Sequence, residues 1–293
     1  MLIIYLFSFI ELTLFFKVPF NKKLGVKAIL FSLPLIMADI AWRLIQNAGY
    51  YMLAFYGKTI ELGNFVFITK YINYAFIAGS PLIWVVYPYL AGAYNKIRNN
   101  KVVNNNEVKH YLKIQINYSF LFLASIIGIL VLNKGLIVPL IATKEYLKFQ
   151  NSFLNMSFFP FLLTYMYILQ QFIVLNNKTK LVGICYSLGL IVCFVLNYYF
   201  IPKIGINGAI LAAKIAIVVI ITIFCLTIQQ DYLKKFLKSV LFNFLIFILK
   251  ISLNNFIGIS LIYKNIIFFS CLIALNILLK IIEFNKIVLY LKG

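Results

Sequence analysis

Long apolar runs separated by short polar gaps set the pattern of this chain. Nine such runs can be marked, at 1–18, 26–56, 64–94, 111–133, 149–175, 181–201, 207–230, 236–258 and 262–284. An α-helix needs about 20 apolar residues to cross the hydrocarbon of a bilayer. None of the runs has the alternation, about ten residues long, of a membrane barrel strand. The pattern predicts an all-α polytopic membrane protein with about nine transmembrane helices.

The second run is the most unusual. Asp39, Arg43, Gln46 and Tyr50 recur at the spacing of one helical face, while Leu35, Ile36, Ile40 and Leu44 populate the others. Charge at membrane depth costs about 2.5–3.5 kcal/mol per residue on insertion scales, so it normally faces a bundle interior or a watered cavity. Opposite charges at i, i+4 also neutralise each other, which offers Asp39 and Arg43 a plainer role as an ion pair packed between helices.

Pro34, Pro81, Pro88 and Pro160 fall inside runs, where each removes a backbone hydrogen bond and is expected to kink or break its helix. Gly208, Ala212 and Ala216 form a ladder of small residues that lets a neighbouring helix approach closely. Asn151, Asn155, Gln170 and Gln171 give the fifth run an amide-rich character suited to meeting sugar hydroxyls.

Composition sharpens the class. The 293 residues are 63% hydrophobic and 12% charged, with a mean hydropathy of +0.97, whereas a soluble domain is about 25% charged. A net charge of +20 would point to nucleic acid in a soluble protein, but the cations sit in short gaps between apolar runs, where they orient helices. No nucleic-acid partner is expected. Cys185, Cys193, Cys225 and Cys271 lie in apolar runs as small hydrophobes, and His110 alone in a polar gap gives metal binding or histidine catalysis nothing to build on. No metal, no cofactor and no enzymatic activity are expected.

The gaps after odd-numbered runs, taken with the run ends that flank them, hold 17 Lys and Arg and those after even-numbered runs 6, the other four being Arg43, Lys70, Lys214 and Lys250 deeper within runs. Cytoplasmic loops carry the excess, so the N-terminus is expected outside and the C-terminus in the cytoplasm. The gap at 95–110 reads as a cytoplasmic linker, and the outer loops as short.

Three stretches carry a family likeness: FSLPLI at 31–36, ELGNFVFITKYINYAF at 61–76, and NNKTKLVGICYSLGLIVCFVLNYYFIPKIGINGAILAAKIA at 176–216, with KEYLKF at 144–149 between them. In this order and spacing the chain resembles the C-terminal part of polysaccharide biosynthesis proteins of the O-antigen flippase (Wzx) type, within the multidrug/oligosaccharidyl-lipid/polysaccharide superfamily. The likeness covers about 26–230. Relatives have twelve or fourteen helices in two lobes, so nine helices with an outside start correspond to helices six to fourteen. Residues 1–18 are then the last helix of a first lobe, 19–230 a second lobe of about six helices, and 231–293 two additional helices with a short tail. Family members often carry an Asp-Arg pair late in the helix matching 26–56, where this chain has Gly49-Tyr50.

The resemblance implies translocation of an undecaprenyl-diphosphate-linked oligosaccharide across the bacterial inner membrane, for O-antigen or capsule synthesis. Its polar face on 26–56 then points into a cleft whose opposite wall is separately encoded. Partners are the lipid bilayer, the lipid-linked oligosaccharide, an N-terminal lobe and a polysaccharide polymerase. Arginine suits a diphosphate because its planar guanidinium makes paired hydrogen bonds to phosphate oxygens. Arg43, Lys70, Lys214 and Lys250 are the candidate substrate-binding residues, and Asp39 with Arg43 the candidate gating or ion pair. Lys70, Lys214 and Lys250 lie within about two turns of run ends, from where they also snorkel to the interface. Lys250 with Asn243, and Lys280 with Asn276, offer a polar groove for a lipid head group. Glu11 is a structural carboxylate or a proton carrier. The alternatives are a cation-coupled multidrug exporter of the same superfamily, a membrane polysaccharide polymerase or ligase, and an inactive fragment of a split flippase gene.

Overall fold

A computed structural model of the chain describes residues 22–98, 106–141, 150–228, 263, 265–268 and 270–271. All elements among them are helices, and no strand occurs among the described residues. In chain order they are α1 (Lys22–Phe55), α2 (Thr59–Gly79), α3 (Pro81–Arg98), α4 (Asn106–Leu132), α5 (Lys134–Ile141), α6 (Gln150–Met156), α7 (Phe159–Leu175), α8 (Thr179–Ile204) and α9 (Ile206–Thr227). These are segments, not spans. Four are long and apolar enough to cross a membrane: Gly25–Phe55 within α1, His110–Leu132 within α4, α8 and α9. The bent pair α2 and α3 makes a fifth if counted as one span, and α7 is a shorter apolar helix. The expected helices at 1–18 and 236–258, and most of 262–284, lie outside the described residues, as do Glu11, Asn243, Lys250, Asn276, Lys280 and the KEYLKF stretch.

Two apolar runs are not single helices. The run at 64–94 divides at Ser80, with a bend of 44° between α2 and the Ile83–Ile97 part of α3. Pro81 has no N–H to give the carbonyl of Ile77, and the Ser80 hydroxyl takes that place at 3.0 Å. The run at 149–175 divides at Ser157 and Phe158, and Pro160 sits in the first turn of α7, where a missing N–H is harmless. Pro34 and Pro88 remain inside continuous helices.

The tightest packing joins α1, α8 and α9. Contacts between α1 and α8 advance together along both chains: Pro34 beside Gly183, Ile45 beside Cys193, Tyr56 beside Tyr198. The two helices are therefore parallel. Small side chains allow the approach. A Cβ on Gly183 would lie 2.9 Å from the Pro34 carbonyl, and one on Gly49 would lie 2.7 Å from the Phe65 ring and 3.0 Å from Ala209. The expected ladder on α9 does pack: Gly208, Ala212 and Ala216 are buried, and a Cβ on Gly208 would meet the backbone of Phe200 at 2.6 Å.

The second half of the bundle is built from α2, α3, α4, α6 and α7. Helices α2 and α4 are antiparallel, with Gly79 against Leu123 and the Tyr71 hydroxyl on the Leu130 carbonyl at 3.2 Å. Helices α4 and α7 are antiparallel as well, through Phe120 against Tyr165 and Gln115 against Gln171. The ring of Phe268 fills the space left by Gly128, docking the described part of the last run on α4.

These contacts sort the connections into two ends of the bundle. One end gathers the α1–α2 loop, Asn133, the start of α6 and the α8–α9 turn, through Lys58 with Ile201, Glu61 with Ile206, and Ser152 with Asn207. The other gathers the end of α3, the start of α4 and the α7–α8 turn, through Lys96 with Glu107 and Tyr94 with Asn176.

Candidate functional site

The polar stripe of α1 forms as its spacing predicts, on a face that the described helices leave uncovered. Arg43 Nε donates to Asp39 Oδ2 at 2.9 Å, and the side chains are 73% and 59% exposed. The pair is neutralised but is not packed between described helices. Gln46, Asn47 and Tyr50 continue the exposed face, with Asn47 Nδ2 on the Arg43 carbonyl at 2.8 Å. Around them Ile36, Met37, Ile40 and Leu44 are exposed too. The opposite face carries Ala38, Ala41, Trp42, Ile45 and Ala48, all buried. Close approaches on the packed side, Pro34 against Gly183 and Gly49 against Ala209 on the neighbouring helices, turn the stripe outward. Only 22% of the apolar window of α1 is buried, the lowest of the four long helices.

Behind the stripe lies an aromatic cluster drawn from five helices. The Trp42 ring meets Tyr167 and Tyr186 edge-on at 6.3 and 6.2 Å, Phe76 stacks on Tyr167 at 5.7 Å, and Trp84 lies 6.5 Å from Tyr167. The Tyr186 hydroxyl donates to Gln170 Oε1 at 2.6 Å. Edge-on and offset geometries match the ring quadrupoles, so the cluster fixes the depth of α1 against α2, α3, α7 and α8.

The other candidate cations are dispersed. Helix α2 starts five residues before its apolar run, so exposed Lys70 lies about three turns inside it rather than near an end. Lys214 is half-buried on α9, on the face of Asn207 two turns earlier. Asn207 Oδ1 accepts from Ser152 Oγ at 3.0 Å and Asn155 Nδ2 at 3.3 Å. Neither lysine is in an ion pair among the described residues, where the pairs are Asp39–Arg43, Lys58–Glu61 and Lys96–Glu107.

The amides of the fifth run are engaged with protein. Gln170 holds Tyr186, Gln171 accepts from Gln115 at 2.8 Å, and Asn155 meets Asn207, so each of these three links its helix to another. The side chain of Asn151 lies outside the described residues.

Two stretches singled out in the sequence meet in space. Glu61 accepts the backbone N–H of Ile206 at the start of α9, and Lys58 Nζ donates to the Ile201 carbonyl near the end of α8 at 3.0 Å. A carboxylate at a helix N-terminus and an ammonium at a C-terminus each complement the helix dipole, and the two side chains pair at 3.4 Å. The clamp's one signal in the sequence is the (i, i+3) Lys-Glu spacing before an apolar run. A shallow depression of about 250 Å³ at the other end is lined by Tyr94, Leu175, Asn176 and Asn177. Among the described residues no group of three or more His, Cys, Asp or Glu is placed to hold a metal. No protein-family model, no curated protein and no solved structure matches the chain.

Proposed function

We propose that the chain is one lobe of a flippase moving undecaprenyl-diphosphate-linked oligosaccharide across the bacterial inner membrane, with about nine spans, its N-terminus outside and its C-terminus in the cytoplasm. The observation that carries the reading is the Asp39–Arg43 pair, midway along a helix of membrane-crossing length and on a face that no described helix covers. Charge in that position calls for a hydrated cleft or a second protein surface. A cleft between two lobes supplies both. Arg43 then binds the diphosphate through paired hydrogen bonds, and Asp39 holds its rotamer or releases it as the lobes rock. Lys70, Lys214 and Lys250 serve as further cationic contacts.

The orientation rests on charge at the two ends of the bundle. Lys22, Lys23, Lys27, Lys96, Arg98, Lys109, Lys113, Lys178 and Lys180 lie toward one end, against Lys58, Lys134 and Lys203 at the other. The richer end is assigned to the cytoplasm. An exporter driven by cations needs an available carboxylate in the membrane; the described acidic residues, Asp39, Glu61 and Glu107, are each paired, and Glu11 lies outside the described residues.

The test is Arg43→Ala and Arg43→Lys in the complete transporter. The alanine variant is expected to accumulate lipid-linked intermediates and lose surface polysaccharide, with lysine in between. Wild-type levels of both in Arg43→Ala overturn the role of Arg43.

A further inference from the structure

Helices α4 and α7 bury four polar side chains whose hydrogen-bonding capacity the described protein does not fill. Gln115, Ser119 and Thr164 are 0% exposed and Gln171 is 6% exposed. Gln115 Nε2 donates to Gln171 Oε1 and to the Ile83 carbonyl, both at 2.8 Å. That leaves Gln115 Oε1, Gln171 Nε2, Ser119 Oγ and Thr164 Oγ1 without a partner among the described residues.

The four belong to one seam. Ser119 follows Gln115 by one turn, and Thr164 precedes Gln171 by two, so each pair shares a helix face. The helices are antiparallel, and the contact of Phe120 with Tyr165, centroids 4.3 Å apart, joins the sequence neighbours of Ser119 and Thr164. Each hydroxyl therefore lies on the side of the seam that carries the amide pair. Exchanging the amide atoms does not help. Rotating Gln115 would point its oxygen at two carbonyl oxygens, and rotating Gln171 would set two NH2 groups against each other.

Buried polar groups among lipid-enclosed helices are rarely left unpaired, because hydrocarbon offers no substitute. We infer that the α4–α7 seam is a hydration site holding ordered water between Gln115, Ser119, Thr164 and Gln171. The donor–acceptor mixture selects the ligand. A metal cation is repelled by the Gln171 NH2, and an anion by the Gln115 carbonyl. Water donates and accepts, and it requires the two to four polar partners that these atoms provide. The site is independent of the transport reading.

Radiolytic labelling of the whole chain in lipid nanodiscs tests it, since bound water generates hydroxyl radicals that oxidise the side chains beside it. Tyr165, whose ring lies on the seam, is expected to be labelled several-fold faster than Tyr186, which is comparably buried. Thr164→Val and Ser119→Ala keep the packing volume nearly unchanged, and each should abolish the excess and lower Tm by a few degrees. Thr164→Ser keeps the hydroxyl and should retain the label. Labelling of Tyr165 no faster than Tyr186 overturns the proposal. So does an unchanged or raised Tm in Thr164→Val, the result expected for a hydroxyl buried with no partner. A Tm that rises with sodium or potassium concentration and loses that rise in Thr164→Val assigns the seam to a cation and overturns the water assignment.

Discussion

The Tyr56 hydroxyl donates to the Tyr198 carbonyl at 3.3 Å, and that carbonyl is the one Pro202 leaves without a donor in its own helix. A residue from the end of α1 thus completes the hydrogen bonding of α8. An intramolecular hydrogen bond contributes about 0.5–1.5 kcal/mol net, and this one, being exposed, belongs at the low end. Tyr56→Phe should lower stability by about that much. In a Pro202→Ala background the ladder N–H returns, so the same substitution should then cost close to nothing. Denaturant or thermal unfolding of the four proteins of this cycle measures the coupling, and equal costs in both backgrounds refute it.

Glu61 and Gly205 depend on each other. Gly205 has φ +56° and ψ −131°, a conformation that side chains resist, and a Cβ there would lie 1.9 Å from Glu61 Oε2. Gly205→Ala should destabilise by about 1–3 kcal/mol from backbone strain, with the clash in addition. Glu61→Ala should cost about 1 kcal/mol through the lost cap on α9. The pair should be less than additive, because removing the carboxylate also removes the clash. Tm values of the two single variants and the double variant decide it.

The Asp39–Arg43 pair makes an asymmetric prediction for insertion. Asp39→Ala or Arg43→Ala leaves one charge in an apolar segment, at about 2.5–3.5 kcal/mol, whereas the double alanine variant leaves none. The inserted fraction of the α1 segment, measured in a translocon insertion assay, should fall for each single variant and recover in the double. A double variant that inserts as poorly as the worse single one would show that charge pairing is not what makes the segment insertable.

The two ends of the bundle should be reached from opposite sides of the membrane. In a cysteine-free background, Cys introduced at Gly57 or Lys203 should react with an impermeant maleimide from outside intact cells. Cys at Asn177 or Lys180 should react only after permeabilisation. The reverse pattern inverts the proposed orientation, and mixed labelling within one end breaks the assignment of its loops to one side.

Much of the helical order is legible in the sequence, because apolar length and small-residue spacing are local properties. The runs at 26–56, 111–133, 181–201 and 207–230 each match one long helix to within a few residues at most ends, and Gly208, Ala212 and Ala216 pack as their spacing indicates. Pro81 and Pro160 were readable as breaks, but not that Ser80 would satisfy the freed carbonyl. The facing of α1 was not legible. In a membrane both sides of a helix are apolar, so periodicity does not say which side is packed, and only the match of Pro34 and Gly49 to Gly183 and Ala209, far along the chain, decides it. The same distance hides the role of Gln170, Gln171 and Asn155, whose partners Tyr186, Gln115 and Asn207 lie on other helices.

The break at Ser80 gives the bundle unequal stiffness. Helices α1, α8 and α9 approach most closely at Gly183 and Gly208, where a Cβ would meet backbone. The line from α2 to α3 crosses its break on a serine hydroxyl and a peptide that lacks an N–H. Amide exchange should therefore be slowest around Ala48 and Ala212 and fastest, among membrane-embedded positions, beside Ser80. Motion within the bundle would begin as a flexing of the kinked α2–α3 rod against the block of α1, α8 and α9.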